Sequence, residues 1–218
     1  MKPQLGLFDL DGTLVHNDWG YHYEITMEAF DKVGLERLTR ADFFDKVSHH
    51  NLISSIDPAQ IDEILIPLFN HIHASPFPEP VVIEGVTETL DWLLTRNISV
   101  AIVTARGFPP HEVEESLKRS GLLKYVKFIS SRDQISPIGY SKSHQILDAC
   151  SKFQIEPKHT FIVGDSPDDI KGGHAAELGA VVGVLSGGIR REVLEQHNPH
   201  HLLKSVAEVP RLIGVGMI

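Results

Sequence analysis

The segment Phe8-Asp9-Leu10-Asp11-Gly12-Thr13 has residue types and a spacing that suit chemistry. Asp9 and Asp11 stand two positions apart, so both carboxylates can approach one crevice, and Gly12 permits a sharp backbone turn directly after them. Carboxylate oxygens are hard donors of the kind that Mg²⁺ prefers. The segment is therefore the first candidate for a reacting centre.

Three further groups of polar residues follow downstream. The hydroxyl of Thr104 can donate a hydrogen bond to a phosphoryl oxygen, and the guanidinium of Arg106 could grip an anion. Lys142 supplies an ammonium group, and residues 164–169 (Gly-Asp-Ser-Pro-Asp-Asp) add a carboxylate cluster. Together these groups would hold Mg²⁺ and neutralise the oxygens of a transferring phosphoryl group.

Five short apolar runs rich in β-branched residues must position these groups. They are predicted to be buried strands and cover residues 5–10, 99–104, 126–130, 160–163 and 180–185. Amphipathic stretches of helical length alternate with them at 86–96, 110–120, 143–153 and 166–178. This alternation predicts an α/β fold with a Rossmann-like, doubly wound parallel sheet. Ligands of such sheets bind at the carboxyl ends of the strands, where the polar groups stand.

Residues 16–80 interrupt this alternation, because they show helical patterns (21–33, 40–49 and 58–73) and no convincing strand. The prolines at 76, 78 and 80 end the last of these patterns and favour an extended connector. We therefore expect an all-helical domain at 16–80, inserted into a core formed by 1–15 and 81–218.

The four polar elements, in this order, resemble the haloacid dehalogenase superfamily of aspartate-nucleophile phosphatases. The matches are Asp-x-Asp-Gly-Thr at residues 9–13, a hydrophobic run ending in Thr104, Lys142, and Gly-Asp-x-x-x-Asp at Gly164, Asp165 and Asp169. Each match alone is weak, but the ordered set is specific and covers residue 4 to about 188. The helical insert is similar to the small C1-type cap of the phosphoglycolate-phosphatase-like subgroup.

This resemblance implies a Mg²⁺-dependent phosphatase that forms an aspartyl-phosphate on Asp9. Asp11 would act as general acid and then as general base, while its backbone carbonyl helps to hold the metal. Asp9 and Asp165 would be the carboxylate ligands, and Asp169 would support Lys142 and the water shell. The residues expected to contact the substrate are Thr104, Ala105, Arg106 and Lys142.

Asp11 also indicates which reaction of the superfamily to expect. The dehalogenases and phosphonatases of this superfamily lack an aspartate at its position, so its presence favours hydrolysis of a phosphate ester. A phosphatase is therefore expected, with a phosphomutase of the β-phosphoglucomutase type as the alternative and a catalytically idle binding module as a less favoured one. Lys142 is followed by Ser where the subgroup often has Pro, and Lys124 and Lys127 stand upstream as alternatives. Whether His16 or His22 touches substrate stays open.

The composition of the chain limits which partners and which cellular compartment we expect for the protein. Its 218 residues are 42% hydrophobic and carry a formal net charge of −9, which disfavours nucleic acid and anionic membranes as partners. One cysteine, Cys150, excludes an internal disulfide, and no segment is typical of a signal peptide or a membrane span. We expect a cytoplasmic enzyme whose substrate is a small-molecule phosphate ester. The enzyme would be a monomer or a homodimer.

Overall fold

A six-stranded parallel sheet forms the centre of the protein. The computed structural model describes residues 2–52, 61–74, 78–107, 110–132 and 141–216. The strands are β1 (Leu5–Phe8), β2 (Ser99–Gly107), β3 (Phe128–Arg132), β4 (Thr160–Gly164), β5 (Ala180–Val184) and β6 (His201–Leu203), in the order β3-β2-β1-β4-β5-β6. All five ladders are parallel, so the predicted α/β fold is confirmed.

Helices connect the successive strands, and one further helix follows β6. They are α1 (Trp19–Val33), α2 (Arg40–Ser48), α3 (Ile61–Ala74), α4 (Val86–Thr95), α5 (Pro110–Arg119), α6 (Lys142–Phe153), α7 (Pro167–Ala175), α8 (Arg191–Glu195) and α9 (Val209–Gly214). The four core helices predicted from periodicity are confirmed to within a few residues at their ends. Residues 58–60 of the predicted helix at 58–73 lie outside the described residues.

The five predicted strands are confirmed, with ends that differ from the expectation by up to three residues, and two of these differences affect the site. β1 stops at Phe8, so Asp9 already lies in the loop beyond it. β2 continues to Gly107, which places Thr104, Ala105 and Arg106 within the strand. The short β6 was missed, because its three residues are only half-buried and form no apolar run.

The apolar side chains alternate between the two faces of the sheet. In β2, Val100 and Ile102 belong to one buried cluster, whereas Ala101 and Val103 belong to the other. Helices α4, α5 and α9 cover the first face, and α6, α7 and α8 cover the second. Coverage of both faces is what a parallel sheet requires, and it leaves the carboxyl edge for polar loops.

Helices α1 to α3 pack around an apolar cluster of their own. Its buried members are Met27, Ala29, Phe30, Phe43, Leu65 and Leu68. Asp18 caps the start of α1 by accepting a hydrogen bond from the Tyr21 amide at 3.0 Å, and Gly34 ends the helix at φ 74°. Across the described ranges, no helix is both long and apolar enough to cross a membrane.

Candidate active site

The loop after β1 turns sharply at the carboxyl edge of the sheet. Asp9 continues the pairing with β4, since its amide donates to the Val163 carbonyl at 3.0 Å. Gly12 adopts φ 78°, and a Cβ there would lie 2.4 Å from Asp165 Oδ2, so only glycine fits without strain. The hydroxyl of Thr13 donates to Asp165 Oδ1 at 3.4 Å. The first and fourth polar elements therefore meet directly.

Lys142 lies between the loop after β1 and the start of α7. Its side chain is only 2% exposed, and its Nζ donates to Asp9 Oδ1 at 2.6 Å and to Asp169 Oδ1. The second oxygen of Asp169 accepts from the amide and the hydroxyl of Ser166. The Asp169 amide in turn donates to the Ser166 hydroxyl oxygen at 3.4 Å, which completes the capping box of α7. Helix capping thus fixes Asp169, and Asp169 in turn fixes the ammonium group beside Asp9.

The alternative lysine Lys127 lies elsewhere. Its Nζ is 3.4 Å from the Ser99 hydroxyl, and Ser99 begins β2 at the opposite edge of the sheet. Lys124 lies over the ring of Tyr125, with Nζ 4.8 Å from the ring centroid. Of these three lysines, Lys142 is the one that reaches Asp9.

Three buried carboxylates converge beside the lysine. One oxygen from each of Asp9, Asp165 and Asp169 lies within 4.8 Å of the others. Burial raises the pKa of Asp9 to about 7, with the nearby Lys142 ammonium opposing this effect. Burial, together with the charges of Asp9 and Asp169, raises the pKa of Asp165 well above its ordinary value. A divalent cation would relieve this excess of negative charge, and hard carboxylate oxygens are suitable ligands for Mg²⁺.

Asp11 has a different partner from Asp9. Its Oδ2 accepts from Arg106 Nε and its Oδ1 from Arg106 Nη2, both at 2.6 Å, so the ion pair is bidentate. The side chain of Arg106 is 7% exposed and that of Asp11 is 25% exposed. Because β2 extends through residue 106, the guanidinium reaches the loop after β1.

Thr104 and Ala105 occupy the same end of β2. Thr104 is buried, and its hydroxyl oxygen accepts from the Arg106 amide at 3.1 Å, whereas Ala105 is exposed. The carbonyls of Thr104 and Ser130 both accept from the buried side-chain amide of Gln145, at 2.9 and 3.0 Å. Gln145 therefore holds the ends of β2 and β3 together. Its place one helical turn after Lys142, on the same face of α6, was the available sequence signal.

A cavity of about 340 Å³ opens on the Asp11 side of the site. Asp11 and Arg106 line it from the core, and His16, Trp19 and His22 line it from the start of the helical insert. Burial lowers the pKa of His22 below its ordinary value. The structure thus places both histidines on a cavity next to Asp11.

The loop after β5 was missed as part of the site. The Ser186 hydroxyl donates to the Gly12 carbonyl at 2.6 Å, and the Asn17 side-chain amide donates to the Gly187 carbonyl at 3.1 Å. A Cβ on Gly187 would lie 1.6 Å from Asp165 Oδ2. A polar Ser-Gly-Gly segment directly after the fifth apolar run was a usable signal, since it must reach the same edge of the sheet.

The fold and these four converging elements define a class of hydrolase. A family model described as haloacid dehalogenase-like hydrolase matches residues 7–183. The chain belongs to this family of hydrolases.

Individual relatives agree with this assignment. The pyrophosphatase PpaX of Bacillus cereus (strain Q1) is 29% identical, with 96% of this chain and 95% of that protein aligned. Two solved structures share the fold. A predicted phosphatase from Clostridium acetobutylicum has a TM-score of 0.79 at 18% identity, covering 99% of this chain and all of the other (100%). A predicted phosphoglycolate phosphatase from Haemophilus somnus 129PT has a TM-score of 0.72 at 21% identity, covering 97% and 98%.

Proposed function

We propose that this protein is a Mg²⁺-dependent phosphatase that hydrolyses a small phosphorylated metabolite through an aspartyl-phosphate on Asp9. One observation carries the proposal. Asp9 lies just beyond β1 at the carboxyl edge of the sheet, where Lys142 Nζ holds one of its oxygens at 2.6 Å. The contact orients the carboxylate and offers a positive charge to an incoming phosphoryl group.

The proposed reaction has two displacements. An oxygen of Asp9 forms a bond to phosphorus while the bond to the leaving oxygen breaks, and Asp11 gives its proton to that oxygen. Water then attacks the aspartyl-phosphate, Asp11 takes up a proton from it, and the products are inorganic phosphate and free Asp9. The substrate anion is proposed to bind to four residues, Thr104, Ala105, Arg106 and Lys142.

The donor set around Asp9 fits Mg²⁺. We assign the carboxylates of Asp9 and Asp165 and the backbone carbonyl of Asp11 as its ligands. Both oxygens of Asp169 are already engaged, by Lys142 and by Ser166, which supports a role for Asp169 in positioning the lysine. When bound, Mg²⁺ supplies positive charge that offsets the charge on the phosphoryl oxygens.

The helices α1 to α3 are proposed to act as a cap over the site. The cap would comprise residues 16–80, and the catalytic core residues 1–15 and 81–218. Two observations support this division: the helices have their own apolar cluster, and His16 and His22 line the cavity that Asp11 and Arg106 line from the core. We place the enzyme in the cytoplasm, consistent with its single, buried cysteine.

A panel of phosphate esters and phosphoric anhydrides tests the function. Purified protein with Mg²⁺ is expected to release inorganic phosphate from p-nitrophenyl phosphate or from a panel that includes pyrophosphate and phosphoglycolate, which the names of its relatives suggest. Asp9→Asn should lower kcat by about 10⁴-fold or more. Asp168→Asn is the matched control, because Asp168 is partly exposed on the first turn of α7 and joins none of these contacts.

Two results would count against the proposal. Full activity in Asp9→Asn would refute the aspartyl-phosphate, and phosphate release that is unaffected by EDTA would refute the metal requirement. Recovery of an isomerised sugar phosphate in place of free phosphate would instead identify a mutase.

A further inference from the structure

The ion pair between Arg106 and Asp11 blocks the role proposed for Asp11. Both carboxylate oxygens are held by the guanidinium, at 2.6 Å each. A carboxyl group that exchanges a proton with the leaving oxygen must present an oxygen to it, at hydrogen-bond distance. The bidentate pair therefore has to open, at least in part, when substrate is bound.

Opening the pair would release the Nε and Nη2 donors of Arg106 from Asp11. The Arg106 side chain is 7% exposed, so little water can reach these two donors, and losing their hydrogen bonds to Asp11 costs free energy. The planar fork of arginine fits a carboxylate or a phosphate equally well, and it binds either through two parallel hydrogen bonds. A second anionic group on the substrate is thus a suitable exchange partner.

Two further acidic residues in the described part of the chain line the cavity, and each has a partner outside it. Asp18 caps α1 through the Tyr21 amide at 3.0 Å, and Glu79 pairs with Arg119 at 3.0 Å. Burial lowers the pKa of the adjacent His22, so its imidazole is largely neutral at pH 7.

The two buried cations of the site serve two separate positions. Lys142 contacts Asp9 and Asp169 on the nucleophile side, whereas Arg106 contacts Asp11 and lines the cavity. If the phosphoryl group binds at Asp9 and Lys142, the leaving group extends toward Asp11 and Arg106. The cavity of about 340 Å³ is at the small end of the range for ligand sites.

We propose that Arg106 determines specificity by binding a second anionic group, a carboxylate or a phosphate, that the leaving group carries. When this group replaces Asp11 as the partner of Arg106, the Asp11 carboxyl group is released to face the leaving oxygen. Esters with an uncharged leaving group would leave the pair closed and be poor substrates. This inference rests on the proposed function and adds the substrate class to it.

Matched substrates test the exchange. We would compare kcat/KM for phosphoglycolate with kcat/KM for 2-hydroxyethyl phosphate, which has a hydroxymethyl group in place of the carboxylate. Pyrophosphate, measured in the same way, tests a phosphate as the second anionic group. The wild type should prefer the anionic leaving group by about tenfold to a hundredfold, as expected for hydrogen bonds to a charged group. Arg106→Met should abolish most of this preference, and Arg106→Lys should retain part of it, because lysine keeps the charge without the fork. Arg191→Met is the control, since Arg191 pairs with Glu195 on the surface of α8.

The outcomes separate this inference from the proposed function. Loss of activity by the same factor on charged and uncharged esters in both Arg106 variants would overturn the inference and leave the phosphatase intact. Calorimetry in the presence of Mg²⁺ makes the same comparison without turnover. It measures the Kd of phosphonoacetate, which carries a carboxylate, and the Kd of ethylphosphonate, which carries a methyl group in its place. A wild type that binds the two equally would also overturn it, whereas a preference lost only in the Arg106 variants would support it.

Discussion

Lys142 Nζ lies 2.6 Å from Asp9 Oδ1, although the two residues are 133 positions apart. The contact exists because β1 delivers Asp9 to the carboxyl edge of the sheet and α6 begins at the same edge. Asp169 accepts from the same ammonium group, so one cation lies between two buried carboxylates. The predictions below start from this arrangement.

Removal of the lysine should cost both activity and stability. In Lys142→Met, two buried carboxylates lose their cation, which should lower the free energy of unfolding by about 3–5 kcal/mol at pH 8. We expect kcat to fall by about 10²–10³-fold, as when a single charge-stabilising group is removed. Urea unfolding and phosphate release measure the two effects. Lys127→Met, at the opposite edge of the sheet, should change neither appreciably, and equal losses in both variants would contradict this account.

Asp165→Asn should stabilise the metal-free protein while removing its response to Mg²⁺. Burial and the neighbouring carboxylates raise the pKa of Asp165, which means that its charged form is disfavoured in the folded state. A neutral amide of the same shape avoids this penalty but is a weaker ligand. Thermal unfolding with and without Mg²⁺ should show a higher Tm without metal and a smaller shift on adding it. A large Mg²⁺ shift retained in the variant would exclude Asp165 as a ligand.

The stability of the metal-free protein should depend on pH through Asp9. Burial raises its pKa from 3.8 to about 7, so between these values the folded state binds a proton that the unfolded state does not. Its contribution is therefore most favourable below about pH 4 and is lost as the pH rises through 7. The difference in unfolding free energy between wild type and Asp9→Asn, measured from pH 5 to pH 8.5, isolates this carboxylate from other titrating groups. A difference that does not change with pH would show that the folded state does not raise its pKa.

Gly187→Ala should impair the proposed metal site without unfolding the core. The added Cβ would lie 1.6 Å from Asp165 Oδ2, so the carboxylate or the loop after β5 has to move. We expect a loss of Mg²⁺ affinity of at least about tenfold, since a ligand displaced from its position costs of the order of a kcal/mol or more. Calorimetry of Mg²⁺ binding measures it. Gly214→Ala is the control, because its Cβ would meet no atom within 4 Å; similar affinities in both variants would contradict the prediction.

Local sequence patterns were enough to predict the α/β class, five of the six strands and the order of the four polar elements. These features depend on periodicity and on residue types at strand ends, which neighbouring residues determine. The family resemblance also led us to expect that Asp169 supports Lys142, and the two side chains share a hydrogen bond. β6 escaped prediction because three half-buried residues leave no periodic signal.

The tertiary structure alone decided the partner of Arg106. Arg106 was a candidate for gripping an anion, but its bidentate pairing with Asp11 joins residues 95 positions apart and depends on β2 running three residues beyond its predicted end. Gln145 and Gly187 likewise matter through contacts with β2, β3 and Asp165 that no local pattern encodes. The sequence by itself determined which chemical groups arrive at the edge of the sheet. Their distances, burial and charge balance followed only from packing, because each of these depends on segments that are far apart along the chain.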